Sequence, residues 1–515
     1  MIARWLVPAV AALTVLIPQA AHADISLHFI GRYATGVFDK GAAEIPAYDS
    51  RSKRLFVVNG AGGVIDVLDI RDPKQPSRVR QIELQNWGAA ANSVAVRDGV
   101  IAAAVEAKVK TDPGAVVFFD ADGRYLKHVA VGALPDMLAY SPDGRWLVVA
   151  NEGEPNDEYT VDPEGSLSII DMRGGVAAVN QSKVRTADFK RFNGQPLPEG
   201  FKSVKAGASV AQDIEPEYVA FSADSKTAYV TLQDNNGLAI VDLERAQVSR
   251  MVGLGFVDHS RVPFDASDRD KAVSLKTWPV WGMYQPDSIA AYTAGGRTYL
   301  VTANEGDARD WKGWSDEKRI ADLKLDPKAF PNAAELQKPE NLGRLRVSGS
   351  FGVNAEGLHE RLYSFGGRSF SIWDSAGRLV WNSDDLVERV VAKRYPNNFN
   401  ASHTSNEADS RSTAKGPEPE GLAVAALWGK TYAFVGLERM SGFMVFDISA
   451  PSAPRYLDYI NSRDFSDEPK NGTAGDLGPE GFMVISAAAS PNGRPLLIVA
   501  NEVSGTTSIY EITRN

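Results

Sequence analysis

The sequence predicts an all-β fold: a seven-bladed β-propeller, with eight blades as the alternative, long loop insertions, and a ring closed by the N-terminal strand. Seven times along the 515 residues a short apolar strand is followed by a turn and a second strand, and six of the seven first strands open on a carboxylate. A repeat tens of residues long and built only from strand patterns is the mark of propeller blades. Gly (45) and Pro (28) are frequent. Many short strands joined by tight turns require that.

Residues 1–23, MIARWLVPAVAALTVLIPQAAHA, have one positive charge at Arg4, an apolar run and a small-x-small end at Ala21-His22-Ala23. They read as a cleaved signal peptide, too short and too broken by Pro8 and Pro18 to span a bilayer. Residues 24–515 then form a single propeller domain, exported to the periplasm or secreted, soluble, without a membrane span and monomeric. The first strands open at Glu44, Asp136, Glu217, Asp287, Glu420 and Glu480, and NSVAVRDG places Ser93 at the seventh position. Second strands end in polar turns at Asn59, Glu106, Asn151-Glu152, Asp234, Asn304-Glu305, Glu438-Arg439 and Asn501-Glu502. Third strands such as VIDVLDI, SLSIIDM and SFSIWDSAG alternate apolar and polar residues, the period of a half-buried strand. Weaker fourth strands follow, as in RVRQIEL and RYLDYI, but the last blade has none, and ISLHFIGRY (25–33) is suited to supply it. Insertions near 172–212, 305–368 and 385–417 interrupt the period, and 398–412 reads as exposed loop. LYSFGGRSFSIWD looks like an extra hairpin without a first strand, which keeps the eight-bladed alternative open.

Composition narrows the function. Lys and Arg total 55 against 65 Asp and Glu, a net charge of −10, which argues against nucleic acid as the partner. Cysteine is absent, so disulfides, thiol catalysis and Cys-ligated metals are excluded.

The segments GAAEIPAYDSRSKRLFVVNG, LPDMLAYSPDGRWLVVANEGEPND, YTVDPEGSLSIID, DIEPEYVAFSADSKTAYVTLQDNN, ANEGDARDW, LYSFGGRSFSIWD, KGPEPEGLAV, GLERMSGFMVFDI and ANEVSGTTSIYEI resemble the choice-of-anchor I family over nearly all of residues 24–515. That family is related to the mesenchyme-specific cell surface glycoproteins of biomineralising animals. The resemblance implies a secreted or surface propeller similar to YVTN and WD40-like repeat proteins. It also implies an association with calcium mineral in animal members, and an alkaline-phosphatase-like label in some bacterial ones. Neither label brings a catalytic motif that transfers residue by residue.

In a propeller the first strands line the central channel, so carboxylates recurring at their starts would ring one mouth. Like charges held together are tolerated when a cation compensates them. Calcium takes six to eight oxygens, which carboxylates, amides and carbonyls supply. Glu44, Asp136, Glu152, Glu217, Asp287, Glu305, Glu420, Glu480 and Glu502 are the candidate ligands, with Glu154, Asp157, Asp162, Asp307 and Asp310 in neighbouring loops. The same side chains would also serve as turn caps. The leading function is therefore a calcium-binding scaffold. The alternative is a metal-dependent phosphoesterase, which needs arginines for the phosphate oxygens; Arg309, Arg368 and Arg439 follow strand ends near the mouth. Another divalent metal would then replace calcium. Each arginine would equally serve to neutralise a ring carboxylate. His259 and His403 read as surface or turn residues, and Asp265, Asp268 and Asp270 as a cation loop or a solvated acidic turn. Trp278, Trp281, Trp311 and Trp314 would stack on a polysaccharide, contact a surface protein, or fill the core.

Overall fold

The computed structural model describes residues 24–202 and 205–515. The signal-peptide reading of residues 1–23 lies outside the described residues. Among the described residues, seven antiparallel four-stranded sheets follow one another along the chain. The first is Pro46–Asp49, Arg54–Asn59, Val64–Asp69 and Ser77–Glu83. The next three repeat this order, beginning with Ala91–Arg97, Pro135–Tyr140 and Val219–Phe221. The fifth begins with Ile289–Ala294 and the sixth with Pro419–Leu427. The seventh consists of Pro479–Ile485, Leu496–Asn501, Thr506–Arg514 and, as its outer strand, Ile25–Ala34 from the other end of the chain. That strand pairs antiparallel from Ile25↔Arg514 to Ala34↔Thr506. The pairing covers the edge that the last sheet would otherwise expose.

Packing joins each sheet to the next. Phe56 and Val58 of the first meet Ile101 and Phe119 of the second. Ala104 and Phe118 meet Leu147 and Ile170 of the third, and Val148 and Ile169 meet Val230 and Val241 of the fourth. Further on, Tyr229 and Leu238 meet Leu300 and Trp373, then Val301 and Phe370 meet Val435 and Phe446. Phe434 and Phe443 pack on Leu497 and Tyr510, and Leu496 and Ile498 return to Leu55 and Val57 of the first sheet. Seven apolar interfaces thus close a circle, and each first strand has the next first strand as its neighbour. This is a β-propeller.

Circular packing buries both faces of the middle strands, so one expectation needs correction. The third strands are not half-buried: SLSIID is buried throughout, and VIDVLD at every residue except the last. Their polar residues face the interior, and what satisfies them is described below.

The long insertions have structures of their own. Within 172–212 lies the fourth strand of the third sheet, Val184–Asp188. Ser369–Asp374 is the third strand of the fifth sheet, paired with Arg297–Asn304, so LYSFGGRSFSIWD is not an additional blade. The chain between those strands forms a hairpin (Asp310–Trp311 with Trp314–Ser315) and contributes to a five-stranded sheet. Phe256–Asp258 and Trp281–Met283, which precede the fifth blade, complete that sheet. The 385–417 insertion carries the helix Leu386–Arg394. Residues 398–412 are not an exposed loop: Phe399, Asn400, Ala401 and Ser412 are fully buried. Arg463 binds the Ser402 and Ser405 carbonyls, and Asn400 donates to Glu388. Polar composition misled here because the polar groups bond one another under the helix.

Candidate functional site

The local sequence aims the ring residues. Each first strand from the third sheet onward opens on, or follows within three residues of, a proline–carboxylate pair: Pro135-Asp136, Pro216-Glu217, Pro286-Asp287, Pro419-Glu420 and Pro479-Glu480. Proline brings no N–H, which suits a strand edge bordering the channel. Where pairing with the second strand begins, the register shifts between Pro135 and Leu138, Pro419 and Leu422, Pro479 and Gly481, and Ala91 and Ser93. Such bulges redirect a side chain. Glycine after the carboxylate lets neighbouring strands approach: a Cβ on Gly421 would stand 2.1 Å from the Glu480 carbonyl oxygen, and one on Gly481 equally close to that of Glu44.

At the end of the second strand, Asn-Glu divides the labour. Asn151 donates to Ser166 and Ser168, Asn304 to Ser369 and Ser371, and Asn501 to Thr506. Asn59 does the same to Asp66. These buried amides account for the polar residues of the third strands. The glutamate that follows is left for the channel.

All seven sheets meet at a central cavity of about 340 Å³. Its wall contains Asp136, Glu217, Asp287, Glu305, Asp307, Glu420, Glu438, Glu480 and Glu502, nine carboxylates, with Arg439 as the one lining cation. Ser93 lines the cavity where the other first strands present a carboxylate. Glu152 lies directly behind: Asp136, Glu152 and Glu217 each offer an oxygen within 4.8 Å of the others. Asp287, Glu305 and Glu420 form a second such group, Glu305, Glu418 and Glu438 a third, and His403, Glu438 and Glu502 a fourth. Glu44 is set back. Its Oε1 lies where a Cβ on Gly60 would stand 2.9 Å away, and Ile45 takes the wall position.

Neutralisation within the protein is partial. Lys415 pairs with Glu305 at 2.5 Å, and Glu438 pairs with Arg439 at 2.8 Å and His403 at 3.2 Å. Among the described residues no ion pair reaches Asp136, Glu217, Asp287, Glu420, Glu480 or Glu502. The Oε2 atoms of Glu420, Glu438 and Glu480 are shielded from solvent without a hydrogen-bond partner, and Glu438 as a whole is 4% exposed. The titration follows. Burial, then Glu502 and Asp136, pushes Glu44 up to about 8. Burial with Glu154 and Glu106 pushes Asp136 up to about 7. Burial raises Glu502 to about 8, Glu438 adding to it and Arg439 opposing. Glu152, Glu217, Asp287, Glu420 and Glu480 are raised well above the carboxylate range by burial and by one another. Such a wall holds either protons or a cation.

The three candidate arginines separate. Arg309 is 3% exposed and bound by Asp213, Glu215 and Asp234. Arg368, also 3% exposed, is bound by Glu388 and by the Asp265, Ser412 and Ala414 carbonyls. Arg439 alone of the three reaches the cavity. His259 (2% exposed) and His403 (8%) lie in turns, as read, but are buried rather than on the surface. His259 lies against Phe264, and burial pushes it down to about 4. Asp265, Asp268 and Asp270 form no ligand group among the described residues: Asp265 accepts from backbone N–H groups of Ser267 and Ser274, Asp268 binds Arg344 at 2.6 Å, and Asp270 lies near Lys276. The tryptophans fall in two places, Trp278 against the core around Phe264 and Trp281 beside Phe256, and Trp311 opposite Trp314 in the hairpin. Trp311 lies under Lys110, and Trp314 meets Tyr159. Glu438 is the residue that the pattern could have supplied as a ligand, since it follows the second strand as Glu152, Glu305 and Glu502 do. Leu437 in place of asparagine hides the likeness. Glu418, Lys415 and His403 come from the 385–417 insertion and its boundary, where no periodicity marks them.

Fold and site together define a β-propeller with an acidic axial cavity. The chain belongs to the choice-of-anchor I domain family, whose profile matches residues 44–451. Over 189 residues it is 32% identical to Gigasin-3a of Magallana gigas, covering 34% of this chain and 66% of that protein. Over 339 residues it is 28% identical to the mesenchyme-specific cell surface glycoprotein of Strongylocentrotus purpuratus, covering 59% of this chain and 41% of the relative. Both matches thus span less than two thirds of the relative's own length. Among solved structures, Kuenenia stuttgartiensis hydrazine synthase gives a TM-score of 0.49 at 14% identity, covering 94% of this chain and 99% of that one. The WD40 domain of Toxoplasma gondii coronin gives 0.49 at 11%, covering 96% and 89%. Among the described residues no helix is long and apolar enough to cross a membrane.

Proposed function

We propose that this protein is an extracellular or surface binding protein that holds a divalent cation, calcium, in its axial cavity and uses the loaded propeller as a scaffold. The observation that carries the reading is the buried, unpartnered Oε2 of Glu438 in a wall of nine carboxylates with one arginine. The donors are all hard oxygens apart from His403 at one side, a set that suits calcium. The extracellular placement rests on the relative that is named a cell surface glycoprotein. The phosphoesterase alternative keeps one of its three arginines at the cavity, Arg439. Titrating chelator-treated protein with calcium in a calorimeter tests the reading. Saturable heat is expected; its absence with calcium, magnesium and manganese alike would end the reading.

A further inference from the structure

We propose that a second cavity, adjoining the acidic one, is a binding subsite for a phosphate-type oxyanion that fills only when the axial cation is in place. The proposal rests on the cation reading above and goes beyond it in naming a second ligand. The cavity measures about 260 Å³ and shares Asp307 and Arg439 with the axial one. Arg346, Arg411 and Lys415 also line it.

The guanidinium groups are held in place yet not used up. Arg411 binds Glu418 through Nε at 2.9 Å and through Nη2, and Arg439 binds Glu418 through Nε at 3.0 Å. Arg439 gives Nη1 to Glu438 and His403, and Arg346 gives Nη1 to Glu317 at 3.0 Å. Arg411 Nη1, Arg439 Nη2 and Arg346 Nη2 have no hydrogen-bond partner among the described residues. Glu418 is fully buried and anchors Lys415 as well, so two forks and an ammonium are fixed around one carboxylate. Three fixed guanidinium groups, each keeping one spare nitrogen, suit an oxyanion that accepts charge-assisted bonds from several sides.

Charge sets the order of binding. The four lining cations share the wall with Asp310, Glu317 and Asp307, and behind it Lys415 pairs with Glu305 and Glu418 and Arg439 with Glu418 and Glu438, so the empty protein offers donors without a net positive field. Beside this lies the unpaired acidic ring. A cation held there near Asp307 would offset the repulsion that the wall carboxylates exert on an oxyanion. By linkage, each ligand then raises the affinity of the other by the same factor.

Thermal unfolding with methylphosphonate as the probe tests this, in chelated and in calcium-loaded protein. Methylphosphonate is expected to raise the Tm of the calcium-loaded protein and to leave the chelated protein unchanged. Arg346→Gln and Arg411→Gln should keep the shift given by calcium alone and lose the one added by methylphosphonate. Should Arg411→Gln fail to fold, Arg346→Gln at the part-exposed wall decides alone. A calcium shift with no added methylphosphonate shift overturns the subsite and leaves the cation reading standing. So does an added shift that both variants retain. An equal methylphosphonate shift in chelated protein overturns its dependence on the cation, and no calcium shift in any arm overturns the cation reading itself.

Discussion

At the scale of single residues, the wall carboxylates tie stability to pH. Glu44, Asp136 and Glu502 titrate at about 8, 7 and 8 in the folded protein, against ordinary values of 4.5, 3.8 and 4.5. Between these limits the unfolded chain binds fewer protons than the folded one, so stability falls as pH rises. The contribution of these groups is complete below about pH 4 and is lost as pH passes through 7 to 8. Glu418 runs the other way. Burial raises it, but Lys415, Arg439 and Arg411 outweigh that and hold it well below its usual range, so its contribution is lost only in strong acid. Chelated protein should therefore melt at a lower temperature at pH 8 than at pH 5.5, and calcium should narrow the gap by replacing protons. Scanning calorimetry at the two pH values checks this. A gap unaffected by calcium would mean that the wall does not take the ion.

A second residue-scale test addresses the asparagines. Asn304 is fully buried, donates to Ser369 and Ser371, and accepts from Thr302 Oγ1 at 2.8 Å. Asn304→Ala leaves the Ser369 hydroxyl without its partner and takes one partner from Ser371, which keeps Asn382, and from Thr302, which keeps Trp373. It should cost about 1–3 kcal/mol, the usual penalty for buried polar groups left unpaired. Denaturant unfolding measures it, and a loss below a few tenths of a kcal/mol would mean that the hydroxyls find other partners.

Among elements, the closing strand makes the sharpest claim. Deleting residues 25–33 should lower the melting temperature of the whole molecule in one cooperative transition, because it opens the edge of Thr506–Arg514 and removes Ile25 from the sixth-to-seventh interface. An unchanged melting profile would show that the ring does not depend on this strand. The strand was legible before the structure because the last blade lacks a fourth strand while ISLHFIGRY has no other partner. First strands were legible through the repeated carboxylate, and second and third strands through their apolar runs. The interior polarity of the third strands was not: alternation looks the same whether polar residues face water or a buried amide, and only closure of the ring decides between them. The same holds for 398–412, whose burial depends on Glu388 of the preceding helix and on Arg463, which enters from beyond the sixth sheet. The ring carboxylates were legible because phase within a repeat maps directly onto position around an axis. Glu418 and Lys415 were not, since insertions follow no phase.

Over the whole molecule, the circular architecture brings residues hundreds of positions apart onto one axis. Asp136 and Glu480 contribute to the same wall, and their mutual repulsion is among the causes that raise Glu480. The fold alone imposes this crowding; a bound cation would relieve it, and a ligand that binds only the folded state stabilises it by RT ln(1 + [L]/Kd), about 2.7 kcal/mol at a hundredfold excess over Kd. The most direct measurement is the melting temperature of chelator-treated wild type and Glu420→Gln across a calcium titration. Calcium is expected to raise the wild-type melting temperature in a saturable manner, and Glu420→Gln to lose most of that shift while the chelated variant melts at or above the chelated wild type. Identical melting temperatures for wild type with and without calcium would contradict the account.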